Sequence, residues 1–116
     1  MSNISEQSVF DTLKYQVDVD KDGMRRYYNK TGQLHRDDGP AAEWNGATFW
    51  YQNGLRHRTD GPAVEYATGD KYWYQNGILH RTDGHAIEYP TGHKRWFING
   101  VEMSEPEFNQ EVKRNV

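Results

Sequence analysis

Three short runs in this 116-residue chain place an imidazole, a guanidinium and a carboxylate within four residues: His35-Arg36-Asp37-Asp38, His57-Arg58-Thr59-Asp60 and His80-Arg81-Thr82-Asp83. Such a trio supports several chemistries. A His–Asp pair can move protons, but three copies argue against one tuned acid–base site. An Arg or His that bonds Asp38, Asp60 or Asp83, or the turn backbone beside it, is a structural clamp. That reading is favoured, because a group repeated in every unit usually belongs to the unit's own stability. A third reading is a basic, aromatic-flanked stripe that receives an anion, either a nucleotide phosphate or an acidic protein surface, through guanidinium forks and ring stacking. Zinc is disfavoured: imidazoles one unit apart on a meander lie about 10 Å apart, too far to share an ion. Glu43, Glu65 and Glu88 recur in the same way and take the same structural reading, while His85 and His93 read as surface groups. The chain has no Cys, no Ser in a nucleophile motif and no phosphate loop. No catalysis, metal or cofactor is expected.

The elements that must hold these trios are set by a repeat. Trp73-Tyr-Gln-Asn-Gly-Ile-Leu-His-Arg-Thr-Asp-Gly-His-Ala-Ile-Glu-Tyr89 recurs as Trp50-Tyr-Gln-Asn-Gly-Leu-Arg-His-Arg-Thr-Asp-Gly-Pro-Ala-Val-Glu-Tyr66, with a looser copy from Tyr27-Tyr28 and a truncated one from Trp96-Phe97. The aromatic pairs start at 27, 50, 73 and 96, a period of 23 residues that marks units leaning on their neighbours. Asn53-Gly54, Asn76-Gly77 and Asn99-Gly100 sit between strand-like runs, the strongest short signal for a type I′ hairpin. The first unit has the longer Asn29-Lys-Thr-Gly32. The return strand meets an Asp-Gly where glycine permits a bend or bulge, and Pro40 and Pro62 just beyond it cannot donate to a ladder. Ala67-Thr-Gly69 and Pro90-Thr-Gly92 then turn the chain into the next unit.

A two-residue turn fixes register. Counting across the turns pairs Trp50 with His57, Trp73 with His80, Trp96 with Met103 and, across the longer loop, Tyr27 with His35. One face of the sheet is thus expected to carry an aromatic–His stripe, and the other Tyr28, Tyr51, Tyr74, Leu79 and Phe97. The tryptophans read first as sheet packing and second as a platform for stacked bases. Two aromatic faces call for curling of the sheet, cover by the terminal segments, or a second subunit as in a homodimer; a patch left open is an interaction site.

The flanks differ. Residues 1–23 are acidic and weakly patterned: Ser8–Tyr15 reads as a short helix or strand, with Val9, Leu13 and Val17 at helical spacing. Asp18-Val-Asp-Lys-Asp-Gly23 lacks the ligand ladder of a calcium loop and reads as a solvated turn into the first strand. Ser104-Glu-Pro-Glu107 is a capping box, and Phe108, Val112 and Asn115 share one side of the helix it starts. Leu, Ile, Val and Phe total only 19 residues, whereas Trp, Tyr and Phe number four, eight and four. The composition fits a thin sheet with aromatic stripes. The net charge is −3, and the body over 24–100 is only mildly basic, too little for duplex nucleic acid. No apolar run approaches a membrane span and no signal peptide is evident, so Asn3-Ile-Ser5 and Asn29-Lys-Thr31 read as chance glycosylation matches. A cytoplasmic protein is expected.

The order aromatic pair, Asn-Gly, two residues, His resembles MORN repeats, with Gly54-Leu-Arg-His57 and Gly77-Ile-Leu-His80 matching their Gly-two-residues-His step. Arg58 and Arg81 replace the Gly that follows His there, and the next Gly comes one residue late. A nearer likeness is to uncharacterised repeat proteins, mostly from bacteriophages, built on Asn-Gly-x-x-His-Arg-x-Asp-Gly-Pro-Ala and ending in a short helical cap. It spans roughly residues 24–110. The resemblance implies a MORN-like hairpin meander, flat or curled. MORN proteins are mostly scaffolds or membrane-associated adaptors, and small phage proteins often bind and disable a host factor.

The expected fold is all-β: an antiparallel meander of three and a half hairpin repeats over 24–103, after an acidic segment over 1–23 and before a C-terminal capping helix over 104–116. The expected function is non-catalytic. A phage-encoded inhibitor would bind a host defence protein, in the host cytoplasm, through Tyr27, Trp50, Trp73, Trp96, His35, His57, His80, Arg36, Arg58 and Arg81. Capture of a small phosphorylated or nucleotide signal, and structural self-assembly, are the alternatives.

Overall fold

The computed structural model describes residues 14–114. The expectation for Ser8–Leu13 and the placement of Asn115 lie outside these residues. The chain folds as an antiparallel meander with one short C-terminal helix. Its strands are β1 (Gln16–Val19), β2 (Arg25–Tyr28), β3 (Ala42–Trp44), β4 (Ala47–Phe49), β5 (Tyr51–Gln52), β6 (Leu55–Arg56), β7 (Val64–Glu65), β8 (Lys71–Tyr72), β9 (Tyr74–Gln75), β10 (Ile78–Leu79), β11 (Ile87–Glu88), β12 (Lys94–Ile98) and β13 (Val101–Met103); helix α1 spans Glu105–Arg114. Nine strands form one open sheet, β1-β2-β3-β4-β7-β8-β11-β12-β13, while β5–β6 and β9–β10 are two-stranded hairpins beside it. The body is flat, 62 × 30 × 16 Å.

The hairpins follow from their turns. Asn53, Asn76 and Asn99 have φ of 50°, 52° and 51°, and the glycines after them 83°, 81° and 81°. Both central residues are left-handed, as a type I′ turn demands. Ile78 pairs with Gln75, Leu79 with Tyr74, and Trp96 with Met103, as the counting required. A fourth turn of this kind, Asn45-Gly46, lies outside the repeated Asn-Gly positions; it joins β3 to β4 with Trp44 opposite Ala47. It replaces the longer second turn of later units and offsets the longer first loop, so the aromatic period survives.

The hairpins also bond edge to edge. The N–H of Gly77 donates to Arg56 O at 2.8 Å and that of Arg58 to Tyr74 O at 3.2 Å; Gly54 with Leu34, and Gly100 with Leu79, repeat the first contact. A second track of ribbons therefore runs along the nine-stranded sheet. Trp50 and Trp73 are the crossing points. The Trp73 N–H donates to Ala86 O in the sheet, while its carbonyl accepts from His80 N–H in the hairpin. Strict alternation breaks at this change of partner. Trp73 and Leu79, expected on opposite faces, both pack on the buried cluster Ala86, Ile87 and Phe97.

The nine-stranded sheet has two unlike sides, fixed by register. One carries the cross-strand row Arg25, Glu43, Thr48, Glu65, Lys71, Glu88, Lys94, in which opposite charges are neighbours. The other carries Arg26, Ala42, Phe49, Val64, Tyr72, Ile87, Arg95. The recurring alanines Ala41, Ala63 and Ala86 are fully buried, and among the described residues Val64 is the only large side chain so enclosed. The alanine after Pro40 or Pro62 restarts the ladder the proline cannot join: Ala63 N–H donates to Tyr72 O, and Ala63 O accepts from Trp50 N–H.

The ends differ from expectation at one side. Paired strands begin at Gln16, ahead of residue 24, because Gln16–Val19 pairs with β2; the acidic turn is confined to Asp20–Gly23, where Asp20 accepts from the N–H groups of Asp22 and Met24. At the other end the capping box forms as read. Glu107 N–H donates to Ser104 Oγ at 3.3 Å, and Ser104 N–H to Glu107 Oε1 at 2.8 Å. Phe108 is buried, and α1 packs on β12.

Candidate functional site

The His-Arg-Asp trios assemble into a repeated clamp. Arg36 lies 4.0 Å from the centroid of the Tyr27 ring, Arg58 3.9 Å from Trp50 and Arg81 4.2 Å from Trp73. Their Nε–H groups donate to Asp38, Asp60 and Asp83 at 3.1, 2.8 and 2.7 Å, and their Nη1 groups to the carbonyls of Pro40, Pro62 and His85. On the far side of each guanidinium lies Gly39, Gly61 or Gly84; a Cβ there would stand 2.8, 2.9 or 3.0 Å from Arg Cζ. The chain bends at each of these glycines, as the sequence suggested, and the missing side chain also leaves room for the arginine. Each guanidinium is thus sandwiched between an aromatic ring and the backbone.

The histidines do a different job. The Asn53, Asn76 and Asn99 N–H groups donate to Nδ1 of His35, His57 and His80 at 3.0, 3.0 and 2.9 Å. Each imidazole ties its own unit to the turn of the next. A backbone N–H must donate, so Nδ1 is the unprotonated nitrogen.

The stripe brings Tyr27, Trp50, Trp73, His35, His57, His80 and the three arginines together as expected, but its outward charge is reversed. The Arg36, Arg58 and Arg81 side chains are 22, 23 and 22% exposed, against 75, 76 and 83% for Asp38, Asp60 and Asp83. Hydrogen bonds from Arg58 and Arg81 hold the Asp60 and Asp83 carboxyls below the usual range. The surface offered outward is therefore carboxylate. Trp96, whose unit lacks the His-Arg step, stands in a groove with Phe108 and Val112 of α1.

His85 is not a plain surface group, while His93 is exposed as expected. His85 stands where other units have Pro; its Nε2 is 2.6 Å from Glu88, and its ring meets Trp73 and Trp96 edge-on at 5.5 and 6.4 Å. His93 stacks on Tyr89 at 5.8 Å. Tyr15 closes the first unit: its hydroxyl accepts from Asp37 N–H at 2.8 Å, and its ring meets Tyr27 edge-on. Among the described residues no three His, Asp or Glu side chains form a metal-holding group.

The other side of the sheet holds a feature the motifs did not reveal. Trp44, Phe49, Tyr66 and Tyr72 line a groove of about 560 Å³, with Asp70 at its margin. Phe49 meets Tyr66 at 5.8 Å and Tyr66 meets Tyr72 at 5.9 Å, both edge to face. Trp44 is 45% exposed and Tyr66 38%. Burial first, then the neighbouring Tyr89 and Asp70, push the Tyr72 phenol above its ordinary range. The available signal was register: Val64 pairs with both Phe49 and Tyr72, which places all three side chains on one face.

Comparison with protein-family models, curated proteins and solved structures returns no match. No described helix is long and apolar enough to cross a membrane.

Proposed function

We propose that this is a non-catalytic binding protein that holds a partner protein against the aromatic side of its sheet. One observation carries the reading: the Trp44 and Tyr66 rings stand exposed over an open groove of a flat sheet, and exposed aromatic surface of this kind marks interaction sites. The tryptophans of the repeat stripe are engaged with the chain's own groups: Trp50 and Trp73 with arginines, Trp96 with His85. The likeness of the repeats to phage proteins makes a host protein the expected class of partner and inhibition the expected effect. A photoreactive benzoylphenylalanine at position 44 or 66, irradiated in bacterial lysate, is expected to give one adduct of discrete mass. The same probe at exposed Leu55, on the hairpin tips, is expected to give none. Equal labelling from all three positions, or labelling from 55 alone, overturns the reading.

A further inference from the structure

We infer that the groove bounded by Trp44, Phe49, Tyr66, Tyr72 and Asp70 is a receptor for a basic side chain, a guanidinium or alkylammonium, presented by the partner protein. The inference rests on the binding reading above and names the chemistry of the group bound. The ring faces supply quadrupoles that attract a cation, and Asp70 supplies a full negative charge at the margin. Among the described residues, only Thr68 donates a hydrogen bond to the Asp70 carboxylate, at 2.6 Å. The lining contains no Lys or Arg.

The rest of the molecule shows how such rings are otherwise satisfied. Among the described residues, five arginines lie over aromatic rings, those of Tyr27, Trp50, Trp73, Tyr74 and Phe97. None of these contacts uses the four rings of the groove. One period further along, the positions of Asp70 and Tyr72 are occupied by His93 and Arg95. There the chain provides the basic groups itself: His93 stacks on Tyr89, and Arg95 donates to the Tyr89 hydroxyl at 3.2 Å while bonding Glu102 through two nitrogens. The central unit keeps the rings, gains a carboxylate and lacks the cation. An incoming basic group would complete it.

The test uses the full chain and Nα-acetyl-arginine amide, with Nα-acetyl-citrulline amide as its uncharged counterpart. Two-dimensional NMR would follow the Trp44 indole N–H and the amides of Tyr66, Asp70 and Tyr72. The arginine compound is expected to give saturable shifts confined to these resonances, and citrulline none. Asp70→Asn, which keeps an acceptor for Thr68, is expected to weaken the response roughly tenfold. The double variant Asp70→His with Tyr72→Arg copies the neighbouring unit and should abolish it with the sheet resonances retained. Equal responses to arginine and citrulline, an unchanged Asp70→Asn titration, or shifts centred on Trp50 and Trp73 overturn the inference. So do shifts at the groove that depend on protein concentration without any probe, which would make a second copy the occupant. Flat arginine titrations beside discrete adducts at position 44 leave the binding reading standing and remove the cation from it.

Discussion

Gly39, Gly61 and Gly84 do not adopt the left-handed backbone that makes glycine necessary in the hairpin turns. They are required because a guanidinium lies flat against the chain at each, and the guanidinium lies there because a ring holds its other face. Gly61→Ala places a methyl 2.9 Å from Arg58 Cζ. It should lift Arg58 from Trp50, cost about 1–3 kcal/mol in urea unfolding and change the Trp50 emission. The clamp also gives a pH dependence. The Asp60 and Asp83 carboxyls are held below their unfolded values, so their contribution is present above the unfolded pKa and is lost as the pH falls through the folded one. The urea midpoint should therefore drop between about pH 5 and about pH 3, around the unfolded carboxyl value of about 3.9. In Asp60→Asn with Asp83→Asn the drop should be shallower. The types and spacing of these residues were legible in the sequence, and the clamp was the favoured reading of them. The direction of the exposed charge was not, because exposure depends on which partner covers which: Trp50 and Gly61 enclose Arg58, and nothing encloses Asp60.

At the scale of elements, what could be read was what local backbone chemistry decides. Asn-Gly pairs specified three turns and their register, and Ser104 with Glu107 specified the start of α1. The Asn45-Gly46 turn was hidden because its unit departs from the pattern in two places that cancel: the Asn29 loop is longer and this turn is shorter, so counting from the aromatic pairs shows no irregularity. The two-faced alternation failed at Trp50 and Trp73 for a different reason. A strand that gives up sheet partners and takes hairpin partners at one residue need not keep its side chains in a single alternating series. His35, His57 and His80 could be placed opposite the aromatic residues, but their bonds reach the next unit, beyond the hairpin that pattern analysis treats in isolation.

For the whole molecule, stability is distributed along the ribbon. The fully buried positions are mainly small, and each unit is tied to its neighbour by backbone bonds between hairpins and by one imidazole. Such a chain approximates a sum of units and nearest-neighbour interfaces. Removal of residues 50–72 joins Phe49 directly to Trp73 without disturbing the period. The shortened protein should fold with the same β-type circular dichroism, a lower urea midpoint and an m-value smaller by roughly a fifth, in line with the surface removed.

His93 and Arg95 carry a further consequence. Repeat proteins commonly present one copy of a contact per unit and gain strength by engaging several at once. Here the next equivalent position is stoppered by the chain's own His93 and Arg95, and the wall formed by Trp44 arises from a turn that occurs in one unit only. If the groove binds as proposed, the periodic scaffold is monovalent: it would titrate one to one, and its grip on a partner could not grow through avidity within a single chain.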